Sequence, residues 1–483
     1  VQTCDLPICH SATGAVASVG PNRMSSLLDL HGPSEPIETA CSSALVALHR
    51  AVELLQSGQC ELAIAGGVNT LIAPEAHVSF NKAGMLSADG RCKTFSAHAD
   101  GYVRGEGVGM LVLKPLSAAE RDGDRIHALI RGSAENHGGR ANSLTAPNPK
   151  AQAQLIAQAL ERAGIDPARI GYIEAHGTGT ALGDPIEVQG LKNAFAEQAR
   201  RHGSTLQPAR CGLGSIKTNI GHLELAAGVA GVIKVVQQLQ HRTLVPSLHS
   251  QPPNPYLQLE DSPFYVVQHT QPWPAPEDAQ GRPLPRCAGV SSFGFGGVNA
   301  HVVLEEYTGS APRRQPSGQP VLVVLSARTP ERLQAQARQL LQALQDRHEE
   351  ELDDIAYTLQ VGRDAMAARL ACVVASVQEL KDKLARWIAG ESGIEQTFQG
   401  EVRGQQDALG GLGADEELKE ALGKWVQRGK LGRLAQAWVK GLAPDWQGLW
   451  PQPRPRKLSL PTYPFADERY WVARPARTGV ALP

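Results

Sequence analysis

The first 307 residues alternate short apolar runs with segments in which apolar positions recur every three or four residues. The second pattern predicts helices, and the first predicts buried strands. Helices are predicted over residues 43–56, 150–163 and 223–239. Strands are predicted over residues 61–68 and 170–174, with a strand pair formed by 109–113 and 125–132. This alternation predicts a layered α/β architecture with a mixed or parallel sheet.

The rest of the chain has a different character. Residues 308–320 are rich in Pro, Gly and Ser and predict a linker. Residues 321–440 alternate again, and Thr329 as N-cap with Pro330 at the first helical position predicts a helix start. Strands are expected at 321–325 and 369–375, and further helices at 353–360 and 377–388. We therefore predict a large domain over 1–307, a small α/β subdomain over 308–440 and a tail over 441–483.

The tail is Pro-rich and aromatic. Its aromatic residues are Trp446, Trp450, Tyr463, Phe465, Tyr470 and Trp471. Because six exposed aromatic rings would promote aggregation, we expect the tail to pack back on the subdomain or on the large domain.

Composition excludes several classes of protein. The 483 residues carry 47 Lys+Arg and 48 Asp+Glu, for a net charge of −1, and lack the basic excess of nucleic-acid binders. The eight cysteines form no CxxC pair, which argues against a structural zinc site and fits a reducing cytoplasm. No apolar run approaches ~18 residues, so no membrane span is expected. A 42% hydrophobic content suffices for a sizeable core.

Three residues are candidates for nucleophilic catalysis. Cys41 lies at the start of the predicted helix over 43–56, where the helix dipole is expected to lower the thiol pKa. His176 lies in EAHGTGT after a predicted strand, and His222 lies in GSIKTNIGH before a predicted helix. A thiol and two loop imidazoles, exposed enough to meet a ligand, can serve as nucleophile and acid/base groups. The alternative is a structural cysteine and two ordinary loop histidines among the 15 in the chain.

Lys217 and a glycine-rich string add to this set. Lys217, five residues before His222, would need a counter-charge if buried beside Cys41, and Glu187 in GDPIE could supply it. Otherwise Lys217 is a solvated lysine. The strings GYVRGEGVG (101–109) and SFGFGGVNAH (292–301) match no phosphate-binding pattern. Backbone amides in SFGFGG could face a developing oxyanion, or the string could be a tight turn.

Taken together, these strings resemble a known family. TACSSA, DGRCKTFSAHADGYVRGEGVG, EAHGTGT with GDPIE, GSIKTNIGHLE and SFGFGGVNAH occur in this order over residues 1 to about 307. This resembles the β-ketoacyl synthase domains of modular polyketide synthases. The resemblance implies the thiolase fold, two similar halves stacked as αβαβα layers. It also implies a segment before the nucleophile longer than 40 residues, so we expect the N-terminal βα units to be missing and the first-half sheet to be incomplete.

The resemblance implies roles for the reacting groups. Cys41 would accept an acyl chain as a thioester. His176 and His222 would donate hydrogen bonds to the enolate formed when a malonyl-type thioester loses CO2. The backbone amides of Cys41 and Phe295 would form the oxyanion hole. No metal and no permanently bound cofactor is implied.

The resemblance also implies supporting and binding residues. Lys217 would pair with Glu187 and hold the loop that carries the histidine. Thr178 and Thr180 would hydrogen-bond the phosphopantetheine arm of an acyl carrier protein, and Asn299 would line the same binding region. The arm is a carrier of substrate rather than a resident cofactor.

The implied activity is polyketide chain elongation by decarboxylative Claisen condensation. Non-elongating transfer of acyl chains and an inactive docking or scaffold fragment are the alternatives, with a papain-like hydrolase as a remote one. VLVVLSARTPERL and LSLPTYPFADERYW resemble the linkers that flank acyltransferase domains, but no GHSxG string lies between them. The implied partners are acyl carrier proteins, a trans-acting acyltransferase and a second copy of the chain, all in the cytoplasm. We expect the dimer only with the N-terminal part restored.

Overall fold

The computed structural model describes residues 13–141, 143, 145–309, 315–402 and 416–468, with side chains from 419 onward in the last range. These residues form two compact units. The first comprises residues up to 119 together with 126–309, and the second comprises 120–125 together with the residues after 310. The change of unit thus falls in the Pro/Gly/Ser-rich segment. Tyr470 and Trp471 of the tail, and the first 12 residues, lie outside the described ranges.

The first unit contains helices and strands in alternation. Its helices are α1 (Val19–Leu27), α2 (Ser43–Gln56), α3 (Glu75–Lys82), α4 (Leu116–Arg121, whose last residues pass into the second unit), α5 (Pro149–Ala163), α6 (Gly183–His202), α7 (Lys217–Ile220) and α8 (Ala227–His241). Its strands are β1 (Ala63–Asn69), β2 (Gly107–Leu113), β3 (Leu129–His137), β4 (Ile170–Glu174), β5 (Cys211–Gly214), β6 (Thr243–Leu244), β7 (Phe264–Val266), β8 (Gln271–Pro272), β9 (Cys287–Phe293) and β10 (Val298–Glu305).

A six-stranded mixed sheet organises this unit. Its strand order is β3-β10-β9-β4-β5-β7. Strands β9, β4, β5 and β7 are mutually parallel where they pair, and β10 is antiparallel to β3 and β9. Helices α5 and α6 bury apolar residues against it, including Leu155, Ile156 and Leu191. Because parallel strands end at one edge, the loops after β4, β5 and β9 meet there.

Several local predictions are confirmed. Helix α5 begins after Asn148, whose side chain accepts hydrogen bonds from two helix amides, and ends at Gly164 in the left-handed conformation, with φ of 61°. A glycine is required there because it adopts positive φ without a steric penalty. The helix predicted over 223–239 is α8, preceded by a short 3₁₀ turn.

The predicted strand pair over 109–113 and 125–132 is wrong. β2 instead pairs with β1 in a separate two-stranded antiparallel sheet, and β3 pairs with β10. β1 is also only partly buried, whereas its apolar run predicts full burial. Among the described residues before β3, β1 and β2 are the strands present. The incomplete sheet expected in the first half of the fold stays a prediction. Proximity in sequence suggested the pairing, and long-range packing decided it.

The second unit is a small three-layer α/β body. Its strands are β11 (Val321–Ala327), β12 (Ala368–Val374) and β13 (Thr397–Glu401), and its helices are α9 (Pro330–Ala343), α10 (Leu352–Val361), α11 (Val377–Ile388), α12 (Glu416–Gln427) and α13 (Leu431–Val439). The strands form one antiparallel sheet in the order β11-β12-β13. Thr329 accepts a hydrogen bond from the Arg332 amide, which confirms the predicted helix start.

Both faces of this sheet are covered. One face packs on α9, α10 and α11, and the other packs on α13 and Leu422 and Val426 of α12. Trp450, Leu458 and Leu460 of the tail lie in the first of these cores, where the Trp450 indole donates to Gln360 Oε1 at 2.7 Å. Residues 441–468 therefore belong to the second unit. Within the described ranges, no helix combines the length and apolar character that a membrane span requires.

Candidate active site

The catalytic candidates meet at the edge where β4, β5 and β9 end. His176 follows β4 by two residues, Lys217 opens α7 just after β5, and Phe295 lies in the turn between β9 and β10. The Ala175 amide donates to the Gly214 carbonyl at 2.8 Å, which ties the first two loops together. The parallel strand order therefore brings together residues that are far apart in the sequence.

Cys41 is presented by a strained turn at the start of α2. Ala40 adopts a left-handed φ of 55°, which costs about 1–2 kcal/mol for a residue with a Cβ. Its amide donates to Glu38 Oε1 at 2.8 Å, and its carbonyl accepts from the Ser43 amide at 3.0 Å. These contacts hold the turn, so the thiol projects from the helix start toward the loops of the six-stranded sheet.

His222 is oriented by its backbone neighbour. The Glu224 amide donates to His222 Nδ1 at 3.0 Å, so the neutral ring carries its proton on Nε2. That nitrogen lies 3.1 Å from Cys41 Sγ. Arg104 donates from Nε and Nη2 to the two carboxylate oxygens of Glu224, at 2.5 and 2.9 Å, and holds this segment in place. His222 is thus arranged as a hydrogen-bond donor toward the sulfur.

His176 lies beside His222, with ring centroids 5.6 Å apart in an edge-on arrangement. Glu187 shapes its loop by accepting the amide hydrogens of His176 and Gly177 at 2.7 and 2.9 Å. Asp184, one turn earlier on α6, accepts the Gly179 amide at 3.1 Å. Both histidines are buried, contrary to the exposure expected of Gly/Thr loops, and both reach substrate only through a cavity.

Lys217 is buried, but its predicted pairing with Glu187 is not found as an ion pair between these two described side chains. Lys217 Nζ instead donates to the His176 carbonyl, while Glu187 binds the amides of the same loop. The two residues therefore hold opposite sides of one backbone segment. The charge of Glu187 still acts on Lys217, after that of Glu174.

A second charged pair supports both histidine loops from behind. Glu174 accepts the Ile216 amide at 2.6 Å and the Tyr172 hydroxyl at 2.7 Å, and it pairs with Lys234 at 2.8 Å. Glu174, Tyr172 and Lys234 are all buried. Because Glu174 precedes His176 by two residues and Ile216 directly precedes Lys217, this carboxylate fixes the spacing of the two loops.

Burial controls the protonation of the reacting groups. It raises the pKa of Cys41 to about 11, although Lys217 and the backbone amides of Phe295 and Cys41 act in the opposite direction. The lowering predicted from the helix dipole is therefore wrong, because the loss of hydration outweighs it. Burial and the nearby charge of Lys217 hold the pKa of both His176 and His222 well below 6.5. Both imidazoles are therefore neutral at pH 7.

Two carboxyl groups behind the loop are also affected. Burial raises the pKa of Glu187 to about 7 and that of Asp184 to about 6. The hydrogen bonds that both carboxylates accept from backbone amides lower these pKa values, but by less than burial raises them. Near neutral pH, Glu187 is therefore partly protonated. It keeps the histidine loop in place through hydrogen bonds rather than through full charge.

Two backbone amides face the Cys41 sulfur, those of Phe295 and of Cys41 itself. Two hydrogen-bond donors at one sulfur are the kind of group that can stabilise a developing oxyanion. One donor atom each from Cys41, His176 and His222 lies within 4.8 Å of the others, the spacing of a possible metal site. However, His222 Nε2 carries its proton while Nδ1 accepts from Glu224, so neither nitrogen offers a free lone pair to an ion.

The reacting groups open into a cavity of about 460 Å³. Thr178, Thr180 and Asn299 line it together with the catalytic candidates. The two threonine hydroxyls lie 3.4 Å apart, and the Asn299 amide donates to Asn136 at 3.1 Å. The structure thus brings every candidate residue of the sequence analysis to one cavity or directly behind it.

Sequence reasoning missed several residues of this site. Tyr102 packs edge-on against His222, with centroids 5.0 Å apart, and lines the cavity with Met85. Arg104 orients Glu224, and Asp184 holds the loop after His176. Tyr102 and Arg104 lie in GYVRGEGVG, which carries part of the family resemblance but for which the sequence predicts no role in the site. The charged Arg104 in that string is a signal, but Glu224, with which Arg104 pairs, is 120 residues away in the sequence.

Comparison with known proteins identifies the family and the fold. Residues 7–119 match the N-terminal domain and residues 127–251 the C-terminal domain of β-ketoacyl synthase, and residues 324–391 match the RhiE-like KS-MAT linker domain. The ketosynthase from module 6 of the bacillaene synthase of Bacillus subtilis 168 is 41% identical, with a TM-score of 0.86 over 95% of this chain and 78% of that one. The chain belongs to the β-ketoacyl synthase family. Its fold is thiolase-like, as predicted.

Other relatives of this ketosynthase domain are polyketide synthases. The oxazolomycin ketosynthase OzmH KS7 of Streptomyces albus JA3453 is 41% identical, with a TM-score of 0.82 over 96% of this chain and 76% of that one. Polyketide synthase PksN of Bacillus subtilis (strain 168) is 54% identical over 96% of this chain. The chain spans only 8% of the length of PksN. These similarities confirm the predicted polyketide synthase ketosynthase with its adjoining linker.

Proposed function

We propose that this domain elongates a polyketide chain by decarboxylative Claisen condensation. Cys41 first attacks an acyl thioester on a carrier protein, its sulfur takes the acyl group, and the carrier thiol leaves with the proton. The observation that carries the proposal is the 3.1 Å approach of His222 Nε2 to Cys41 Sγ, with its proton directed by the Glu224 amide. This N–H stabilises the thiolate that a pKa of about 11 makes scarce.

Condensation then uses the two imidazoles as uncharged donors. A malonyl-type thioester loses CO2, and the electrons of the broken carbon–carbon bond form an enolate. The N–H groups of His176 and His222 stabilise the enolate oxygen, because donors aimed at developing charge lower the barrier without a strong base. The enolate carbon attacks the Cys41 thioester, its carbonyl oxygen is held by the amides of Cys41 and Phe295, and the released thiolate takes up a proton.

Supporting residues keep this arrangement. Lys217 and Glu187 hold the backbone of the His176 loop from its carbonyl and amide sides. Thr178, Thr180 and Asn299 offer hydroxyl and amide groups to the phosphopantetheine arm, whose amides need such partners in a buried cavity. Acyl carrier proteins are the direct partners. We further propose a homodimer in the cytoplasm, supplied with malonyl groups by an acyltransferase that acts in trans.

Intact-protein mass spectrometry tests the proposal. Incubation with an acyl thioester should add one acyl group to the wild-type chain and none to Cys41→Ala. Subsequent malonyl carrier protein should release the acyl group as a product extended by two carbons, with one CO2. Absence of an adduct on a folded sample would contradict the enzymatic proposal in favour of a scaffold.

The second candidate is a ketosynthase that transfers acyl chains without elongating them. It predicts the adduct on Cys41 and its passage to a second carrier protein, without CO2. The presence of both His176 and His222 in the cavity favours elongation, since transfer alone forms no enolate that needs them. Measuring CO2 beside the adduct separates the two.

A further inference from the structure

The Tyr102 hydroxyl is a polar group that the proposed reaction does not use. The Tyr102 side chain is 93% buried, and its ring packs between Phe80 and His222 at centroid distances of 6.5 and 5.0 Å. Its backbone is anchored by two hydrogen bonds, to Met85 and Ser87. The ring position is therefore set by contacts on two faces and by the backbone.

The hydroxyl forms no hydrogen bond with the described residues, and it is not one of their fully enclosed unpartnered polar atoms, so it opens to the cavity. A tyrosine hydroxyl in a largely buried setting normally has a partner. Its side chain lines the cavity beside Cys41. Met85, Phe293 and Phe295, which line the same cavity, have side chains that form no strong hydrogen bonds. A partner for this hydroxyl must therefore come from a molecule in the cavity.

The position of the ring limits which atoms that molecule can offer. His222 contacts both the Tyr102 ring and the Cys41 sulfur, so Tyr102 lies beside the start of an acyl chain on Cys41. The thioester carbonyl itself is taken by the amides of Cys41 and Phe295. Each decarboxylative condensation leaves a ketone on the third carbon of its product, and its reduction leaves a hydroxyl there. That oxygen is the first polar atom along such a chain.

We propose that Tyr102 is a specificity-determining residue that hydrogen-bonds an oxygen substituent near the thioester end of the acyl chain. A phenol hydroxyl can donate to a ketone and can donate to or accept from a hydroxyl, so both oxidation states are recognised. A chain with a plain methylene at that carbon offers this hydroxyl no hydrogen bond. This inference rests on the proposed acylation of Cys41.

The test compares acylation rates of Cys41 with three N-acetylcysteamine thioesters, 3-hydroxybutanoyl, 3-oxobutanoyl and butanoyl, followed by intact mass. The selectivity is kcat/KM for each oxygenated chain divided by kcat/KM for butanoyl. Tyr102→Phe keeps the ring between Phe80 and His222 and removes only the hydroxyl. We expect this variant to lower the selectivity about tenfold, the effect of one hydrogen bond between uncharged groups.

The matched control is Tyr265→Phe, which removes a hydroxyl that accepts from Gln271 at 2.6 Å outside the cavity lining. It should retain the wild-type selectivity. A Tyr102→Phe selectivity within about twofold of wild type for both oxygenated chains would overturn the inference while leaving the proposed function intact. Absence of any adduct on the folded wild-type chain would instead refute the proposed function and this inference with it.

Discussion

Raising the pH from 8 to 10 should increase the rate at which Cys41 reacts with iodoacetamide about ninetyfold. Only the thiolate reacts, and a thiol with a pKa of about 11 is about 0.1% ionised at pH 8 and about 9% ionised at pH 10. A thiol at its ordinary value of 9.0 would gain only about tenfold over the same range. The difference between a ninetyfold and a tenfold increase in rate measures how strongly burial outweighs the helix dipole in setting the Cys41 pKa.

The assay is intact mass after timed alkylation, with Cys41→Ala as the control for reaction at Cys60, which is also partly accessible. Lys217→Met should slow alkylation further, because the charge of Lys217 is the largest effect that lowers the Cys41 pKa. A rate that levels off below pH 9 would refute the reasoning. It would show that the dipole and hydrogen bonds to the sulfur dominate over burial.

The same contacts predict three further outcomes. His176→Ala should retain acylation of Cys41 but lower CO2 release from malonyl carrier protein about 10²–10³-fold, because one donor to a developing oxyanion is lost. Equal losses in acylation and CO2 release would contradict the assigned role. Glu174→Gln should lower the free energy of unfolding by about 3–5 kcal/mol in urea titrations because it leaves Lys234 buried and unpaired. Adding Lys234→Met should recover most of that loss, and no recovery would argue against charge as the cause. Gly177→Ala should cost about 1–3 kcal/mol, since φ is 46° and a Cβ would lie 2.7 Å from Thr94, whereas Gly32→Ala has open space and should change little.

Much of the local structure was predictable because its causes are local. The start of α9 at Thr329 and Pro330 and the left-handed end of α5 at Gly164 depend on residues within one helical turn. The grouping of Cys41, His176 and His222 was predictable through the family resemblance, since their strings occur in a characteristic order. Spacing alone would not have joined residues separated by up to 181 positions.

The errors concern pairing and burial. The sequence predicts that residues 109–113 pair with 125–132, but β2 pairs with β1, and helix α8 packs against both of these strands. Lys217 was matched to Glu187 by charge, whereas the folded loop offers the lysine a nearer backbone carbonyl. Tyr102 was missed because its significance depends on Phe80 and His222, which only folding brings to it.

The sequence by itself determined which reactive groups this ketosynthase domain has and where helices such as α5 and α9 begin. Those properties depend on side-chain chemistry and on interactions between residues a few positions apart. Only the tertiary structure decided that the His222 proton faces Cys41, that burial raises the thiol pKa, and that the Tyr102 ring lies against His222 in the same cavity. Distance and dehydration are properties of the packed chain, because residues from distant strands and helices create them together.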